Sequence, residues 1–334
     1  MQLVMIEVKK KIGVPKYKQI ISSIEEAISS GVLKKGDQLP SINSIKKEQN
    51  LSRDTVLMAF NELKTRGIIQ SVVGKGYYVS SENINVKQKV FLLFDELNSF
   101  KEDLYNSFLD NLGANIQVDI FFHHFNEVLF SKLILDNAGD YNYYVIMPAN
   151  LKHTNTTIQN LPKDKVYILD QIHDDLSEYP AIYQNFEKAI FDNLIKVSYQ
   201  IKKYNKLVLV FSKDKQPQSM FDGFCLFCKK HKQLYEVIDS LQNRILEKGE
   251  LYIMPDDKSL LMIIKKIKKQ KWVIAKDIGL ISYNDTLLKE IVEGGITTIS
   301  TDFNMMGKRL AEMILNKEKG QIENPNKLII RNSI

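Results

Sequence analysis

Apolar side chains recur at helical spacing in three stretches near the start of the chain. The residues on these three faces are Tyr17, Ile20, Ile21, Ile24, Ala27, Ile28, Ile42, Ile45, Val56, Ala59, Phe60 and Leu63. Ser41 and Ser52 are placed as N-caps of the second and third stretches. Gly31 and Gly67 follow the first and third, where a residue with positive φ commonly ends a helix. Three helices are therefore predicted after Pro15, with a tight turn between the last two.

A hairpin is predicted directly after the third helix. Residues 68–79 read as two strands around Gly74-Lys75-Gly76, and the glycines permit a tight turn. Two helices around a tight turn, followed by such a hairpin, are typical of a winged helix-turn-helix. That module places one helix in the major groove of DNA and a basic loop beside it.

The candidate DNA contacts follow from this arrangement. Arg53, in the first turn of the third helix, can reach guanine O6 and N7 or a phosphate, and Thr55 can hydrogen-bond to a phosphate or a base. Lys75 at the hairpin tip is placed to enter the adjacent minor groove. The predicted DNA-binding residues are Ser41, Lys46, Ser52, Arg53, Thr55, Leu57 and Lys75.

From Val90 onward, short apolar runs alternate with helical patterns. The apolar runs are 90–94, 118–122, 143–147, 166–169, 207–211, 251–254 and 278–283. The helical patterns are 100–112, 126–137, 186–203, 219–230, 258–268 and 304–315. Continuous apolar strands separated by crossover helices predict an α/β fold with parallel sheets covered on both faces. Ligands in such folds bind beyond the carboxyl ends of the strands.

Polar or aromatic residues follow several of these predicted strands. A carboxylate in that position often only caps the next helix, but several that converge would make a polar-ligand pocket. The candidate ligand-binding residues are Asp95, Phe100, His123, Asp170, Asp256 and Asn284.

The charge distribution agrees with the position of the winged module. The 334-residue chain has a formal net charge of +6. Residues 1–85 hold thirteen Lys or Arg and eight Asp or Glu, which leaves 33 basic and 32 acidic residues for the remainder. Binding to phosphates needs such a local excess of positive charge.

The N-terminal motifs resemble those of GntR-family bacterial transcription regulators. They are P-x-Y at 15–17, G-x-x-L-P-S at 36–41, S-R-x-T-V at 52–56, L-x-x-x-G-x-I at 63–69 and G-x-G-x-Y-V at 74–79. The resemblance implies that Arg53, Thr55 and Lys75 contact operator DNA. Asn43 stands where the family usually has an Arg that touches the DNA backbone, and Lys46 and Lys47 lie one turn later.

A second resemblance covers the C-terminal part. The segments DIGLISYND at 277–285 and ITTISTDFNMMGKRLA at 296–311 resemble the end of the lactose-repressor/ribose-binding-protein effector domain. This implies two α/β lobes that close on a small molecule, usually a sugar. Asn284 falls where that family often has a ligand-contacting Asp, and Asp170 and Asp256 fall near other binding positions. Met220 replaces the family's ligand-binding Arg.

Other signals carry less weight. The Cys225-x-x-Cys228 pair with His231 lies on a helical pattern and predicts packing, so we expect neither a metal nor a cofactor. The Met1–Ile12 start shows no secretory signal and no run is long enough to cross a membrane, so a cytoplasmic location is expected.

The sequence therefore predicts a winged helix-turn-helix in 1–80, a linker in 81–89 and a two-lobed, periplasmic-binding-protein-like domain in 90–334. The predicted function is a ligand-responsive transcription regulator that binds double-stranded operator DNA as a homodimer and takes a small polar effector, a sugar by resemblance. One alternative is a winged domain fused to a catalytic α/β domain, as in the GntR relatives fused to pyridoxal-phosphate aminotransferases. Another is a DNA-binding structural protein without a ligand.

Overall fold

A computed structural model describes residues 6, 8, 14–86 and 88–334. The stretch Met1–Ile12, in which no secretory signal is predicted, lies outside the described residues except for Ile6 and Val8. Among the helices that are described, none has the length and apolar character needed to cross a membrane.

The N-terminal unit has three helices and a hairpin, as the apolar pattern predicts. The elements are α1 (Lys16–Ser29), α2 (Ile42–Glu48), α3 (Arg53–Thr65), β1 (Ile69–Val72) and β2 (Gly76–Val79). The β1 and β2 strands pair antiparallel, and the three apolar faces meet in one core with Ile20, Val56 and Phe60 fully buried. Ser41 accepts a hydrogen bond from the Ser44 N–H at 3.1 Å, which confirms its predicted role as an N-cap.

The chain then builds the first α/β lobe. Its elements are β3 (Gln88–Phe94), α4 (Ser99–Leu112), β4 (Ile116–Phe122), α5 (Glu127–Asp136), β5 (Tyr143–Ile146), α6 (Thr154–Ile158), β6 (Val166–Asp170) and β7 (Ala181–Tyr183). All of these strands are parallel to their neighbours; Val90 of β3, for example, lies opposite Val118 of β4 and Tyr143 of β5. The central β3 and β5 strands are buried on both faces, which explains their continuous apolar sequence.

The second lobe repeats this architecture. Its elements are α7 (Phe186–Lys196), α8 (Ser198–Ile201), β8 (Lys206–Val210), α9 (Gln218–Lys230), β9 (Tyr235–Ile238), β10 (Glu250–Met254), α10 (Asp257–Gln270), β11 (Gly279–Tyr283), α11 (Leu287–Ile291) and β12 (Thr297–Thr301). Short 3-10 turns occur at Lys163–Lys165, Asp174–Leu176 and Val292–Gly294.

The last elements join the two lobes. Helix α12 (Phe303–Asn316) returns to the first lobe and packs against α4, and β13 (Gln321–Glu323) pairs with β7. Strand β14 (Asn326–Ile329) then joins the second sheet beside β12. The chain therefore passes between the lobes three times, which gives a hinge made of three parallel connections. The sheet orders are β13-β7-β6-β5-β3-β4 and β14-β12-β11-β10-β8-β9.

Two glycines allow close helix packing. A Cβ atom at Gly307 would collide with the Leu104 carbonyl of α4, and one at Gly223 would collide with the Glu187 carbonyl of α7. Gly307 belongs to the C-terminal sequence pattern quoted above, and both glycines reflect close packing between helices.

The predicted parallel strands and crossover helices are confirmed, with a few differences. Strands β7, β9, β12, β13 and β14 and helices α6 and α11 were not predicted, because these segments are short and their apolar patterns are weak. The predicted helix 186–203 is divided at Val197, and β14 runs antiparallel to β12.

The segment predicted as a linker lies against the winged unit. Ile84 packs on its core, and the Arg66 side chain donates hydrogen bonds to the carbonyls of Val86 at 2.8 Å and Ile84 at 3.0 Å. Lys87 lies outside the described residues, and Lys89 already belongs to β3. The exact boundary between the domains stays a prediction, but residues 82–86 are anchored rather than free.

Candidate nucleic-acid interface and ligand crevice

The first turn of α3 presents the predicted recognition residues. Arg53 is exposed, Leu57 is half-buried, and the buried face of the helix carries Val56 and Phe60. The Ser52 hydroxyl accepts the Thr55 N–H at 3.2 Å, and the hydroxyls of Ser52 and Thr55 lie 2.8 Å apart. Because the two hydroxyls share one hydrogen bond, one hydroxyl hydrogen is left to meet an external acceptor.

The remaining predicted DNA-binding residues lie on α2 and at the hairpin tip. Lys46 is exposed on α2 and Ser41 caps that helix. Lys75 is exposed at the tip, where its backbone carbonyl accepts a 2.7 Å hydrogen bond from Gln38 Nε2. The tip is therefore held in place while the Lys75 ammonium extends into solvent. That these residues contact DNA stays a prediction.

A crevice of about 560 Å³ lies between the two lobes, within the size range of sites for small molecules. Its walls are formed by residues that follow the carboxyl ends of β3, β6, β8, β10 and β11. Five of the six predicted ligand-binding residues line it, namely Asp95, Phe100, Asp170, Asp256 and Asn284. That they bind a ligand stays a prediction.

The first lobe contributes two buried carboxylates. Asp95 forms a buried ion pair with Lys101, and Asp170 accepts a hydrogen bond from the Gln184 side chain. Burial, together with the nearby charge of Asp95, raises the pKa of Asp170 to about 6, although Lys101 and Gln184 act in the opposite direction. Asp170 also has a φ of 74°, a conformation that a residue other than glycine rarely adopts.

The second lobe contributes two buried polar groups that lack partners. Within the described part of the chain, neither the Tyr283 hydroxyl nor Asn284 Oδ1 makes a hydrogen bond, although both residues line the crevice. Asn284 has a φ of 58°. Burial, followed by the charge of Asp170, raises the pKa of Tyr283. Buried groups without partners are costly, so a ligand that supplies the missing hydrogen bonds would gain affinity.

Lys289 binds the backbone of Tyr283 and Asn284 in this wall. Its buried ammonium donates to the carbonyls of Tyr283 at 2.7 Å and Asn284 at 2.6 Å, and it pairs with Asp257 at 2.9 Å. Burial lowers the pKa of Lys289, while Asp257 opposes that effect. This role was not predicted, because a lysine in a short amphipathic segment normally extends into solvent.

Asp256 and Phe100 have structural partners as well as positions in the crevice. Asp256 caps α10 by accepting the Ser259 N–H at 2.8 Å and the Ser259 hydroxyl at 2.7 Å. Phe100 stacks on Phe303, with 4.9 Å between the ring centroids. The stacked pair offers an apolar surface beside the carboxylates.

His123, the sixth candidate, does not line the crevice. Its ring is fully buried beside Phe130, 5.4 Å between centroids, and its Nε2 lies 3.0 Å from the Met147 carbonyl oxygen. Burial lowers the pKa of His123. His124 and Phe125 have positive φ angles, and the chain reversal after β4 brings Phe125 to the crevice instead.

Contacts between the lobes lie at the mouth and at the hinge. At the mouth, Asn150 of the first lobe donates to the Gln216 carbonyl at 2.6 Å, and Lys215 of the second lobe pairs with Glu96 at 3.3 Å. At the hinge, Gln184 donates to Asp170 and accepts from the Thr301 hydroxyl. Gln184 was not predicted, because it follows a strand too short to recognise. The lobes thus meet on both sides of the cavity.

Cys225 and Cys228 are both buried in α9, where they pack in the core of the second lobe. Burial raises the pKa of Cys228 to about 12, which keeps the thiol protonated.

Comparison with known proteins agrees with this division of the chain. Residues 16–79 match the profile described as bacterial regulatory proteins, gntR family. The HTH-type transcriptional repressor YtrA of Bacillus subtilis is 31% identical over 115 residues, which cover 34% of this chain and 85% of that repressor. The mannosyl-D-glycerate transport/metabolism system repressor MngR of Escherichia coli is 38% identical over 96 residues, and this chain spans only 38% of its length. The arabinose metabolism transcriptional repressor of Geobacillus stearothermophilus is 22% identical, with 97% of this chain and 99% of that protein covered.

Solved structures match the two-lobed part. A LacI family transcriptional regulator from Silicibacter pomeroyi superposes with a TM-score of 0.63 at 13% identity, covering 74% of this chain and 98% of that one. A LacI family regulator from Lactobacillus casei with bound glucose gives 0.61 at 14% identity, covering 74% and 99%. At such identities the likeness establishes the fold of this part alone, a two-lobed, periplasmic-binding-protein-like domain.

Proposed function

Because this chain belongs to the gntR family of bacterial regulatory proteins, we propose that it regulates transcription by binding operator DNA in response to a sugar held in the crevice. The observation that carries the proposal is the presence, in one chain, of a winged helix-turn-helix and a crevice with unpartnered buried polar groups. The protein acts in the cytoplasm, where it meets both its operator and its effector.

The winged unit supports the DNA-binding half of the proposal. Arg53 and Lys75 are both exposed, and within the described part of the chain neither forms an ion pair. Arg53 enters the major groove from the first turn of α3, and Lys75 contacts the backbone or the minor groove beside it. The chain binds its operator as a homodimer, because a helix-turn-helix protein reads two half-sites with two copies of the recognition helix.

The crevice supports the sugar half. A sugar presents many hydroxyl groups around a flat ring, and the crevice offers carboxylates and an amide beside the stacked rings of Phe100 and Phe303. The L. casei regulator with bound glucose and the arabinose metabolism repressor point to the same class of ligand.

The DNA-binding role is tested with Arg53→Ala. The substitution removes a charge-assisted contact, and we expect operator affinity to fall by roughly 5- to 150-fold, or about 1–3 kcal/mol. The measurement is a band-shift titration on DNA selected from a random library by the wild-type chain. Arg309→Ala, which removes an exposed arginine from α12, is the matched control and should bind normally. Undiminished binding by Arg53→Ala would remove α3 from the interface.

The effector site is tested with Asn284→Ala. A sugar that raises the melting temperature of the wild-type chain should give little or no rise with the variant, because the buried amide no longer contacts the ligand. Asn304→Ala, at an exposed position on α12, should keep the full rise. A full rise with Asn284→Ala would place the ligand elsewhere.

A further inference from the structure

The crevice carries an excess of acidic groups. Six carboxylates line it: Asp95, Glu96, Asp170, Asp239, Asp256 and Asp257. Three lysines line it as well, at positions 101, 215 and 258, and among the described residues no arginine does. Met220 also lines the crevice, where it is buried in the wall and contributes no charge.

The lysines are poorly placed to meet an anion. The Lys101 ammonium is buried against Asp95, and Lys215 pairs with Glu96 at 3.3 Å across the mouth. Lys258 is exposed on the first turn of α10, where water screens its charge. An anionic ligand would therefore have to break an existing ion pair to gain a cation.

The deep end of the crevice is rich in hydrogen-bond acceptors. Asp170 is buried at the carboxyl end of β6, where its hydrogen-bond donor is the neutral Gln184 amide. Asn284 Oδ1 also lacks a hydrogen-bond donor, and the Tyr283 hydroxyl can donate or accept. A ligand that brings O–H or N–H groups satisfies these acceptors, whereas a phosphate or carboxylate brings only further acceptors and a like charge.

We propose that this crevice selects sugars bearing only hydroxyl or amino groups and rejects sugar phosphates and sugar acids. The proposal rests on the sugar-binding function above and adds the class of sugar. Asp170 is the main source of the rejection, because it is a buried carboxylate whose side-chain hydrogen-bond donor, Gln184, is uncharged. Its carboxylate is buried away from bulk water, so a second negative charge nearby is disfavoured, and the nearby Lys101 ammonium, already paired with Asp95, offsets only part of that repulsion.

The test compares matched sets of sugars with the full-length chain. Isothermal titration would use glucose with glucosamine, glucose 6-phosphate and glucuronate, and the corresponding derivatives of galactose, mannose and arabinose. We expect the tightest ligand to be a neutral or amino sugar, with its phosphate and its acid at least tenfold weaker. An anionic derivative that binds as tightly as its parent would overturn the proposal. Failure of every sugar to bind would instead overturn the sugar-responsive function on which it rests.

Asp170→Asn tests the origin of the selectivity. The amide keeps the shape and the hydrogen bond to Gln184 but removes the charge, so we expect the ratio of neutral to anionic affinity to shrink at least fivefold. Asp136→Asn, which removes an exposed charge from α5 outside the crevice, should leave the ratio within twofold. An unchanged ratio in Asp170→Asn would overturn the role of Asp170, and the wild-type titrations decide the selectivity independently of the variant.

Discussion

At the scale of single residues, Asp170 combines an unfavourable environment with an unfavourable backbone conformation. It is buried, it ends β6 with a positive φ, and its pKa is raised to about 6. Such a residue costs stability in the free protein, and a ligand that donates to it recovers part of that cost. Strain of this kind is common at binding sites.

The raised pKa predicts a pH dependence of stability. Because the folded pKa of about 6 lies above the ordinary aspartate value of 3.8, protonation of Asp170 stabilises the fold fully below pH 3.8, and this stabilisation is lost as the pH rises through 6. Two pKa units correspond to about 3 kcal/mol. Without ligand, the stability advantage of Asp170→Asn over the wild type should therefore grow by about 2–3 kcal/mol between pH 4 and pH 7. Urea unfolding at several pH values measures the difference, and a constant difference would show that the buried carboxylate is not destabilising.

The sequence located part of this site for a simple reason. Asp170 and Asn284 directly follow apolar strands, and the carboxyl ends of parallel strands meet at one edge. His123 follows a strand as well, but positive φ angles at His124 and Phe125 turn the chain, and no side-chain pattern encodes that turn. Gln184 and Lys289 were missed because their roles depend on groups far away in sequence or on backbone carbonyls.

At the scale of elements, the connection between α3 and the effector domain is unexpectedly firm. Arg66, the C-cap of α3, is buried; it holds the carbonyls of Ile84 and Val86 and pairs with Glu25 of α1. Residues 82–86 are therefore attached to α3, and β3 begins shortly afterwards at Gln88. We expect these contacts to transmit a displacement of the first lobe to the recognition helix.

Arg66→Gln should weaken that transmission. The shorter, neutral side chain cannot hold both linker carbonyls and the Glu25 carboxylate, so residues 84–86 would move independently of α3. We expect the factor by which a bound sugar changes operator affinity to fall toward one, as measured by fluorescence anisotropy with labelled operator. Arg309→Gln, the same exchange at an exposed position on α12, should keep the full factor. Full responsiveness of Arg66→Gln would show that the linker contact carries no signal.

The elements also show the limits of the sequence patterns. The long helices were predicted because their apolar period extends over many residues, and the buried strands because each is a short run of mostly apolar residues. The polar segment 81–89 was predicted to be a linker. Its attachment to the winged unit was not predicted, because it depends on backbone carbonyls that any sequence provides. The three-residue strands β7 and β13 exist because neighbouring strands pair with them, and tertiary context of that kind is absent from a local pattern.

At the scale of the whole molecule, the structure shows the two lobes in contact around the crevice. Asn150 and Glu96 of the first lobe meet the loop after β8 at the mouth, and three chain crossings form the hinge. The winged unit contacts the first lobe, because Lys64 of α3 pairs with Asp140 of that lobe at 2.7 Å. Opening the crevice would rotate one lobe relative to the other and, in a dimer, alter the separation of the two recognition helices.

Linkage between the two ligands tests this account most directly. Operator affinity would be measured with and without a saturating concentration of the tightest-binding sugar, and the affinity for that sugar with and without saturating operator. If the crevice and the winged unit share the same two states, both affinities change by the same factor, on the order of 5- to 150-fold. A factor of one in both directions, with each ligand still bound, would contradict the account.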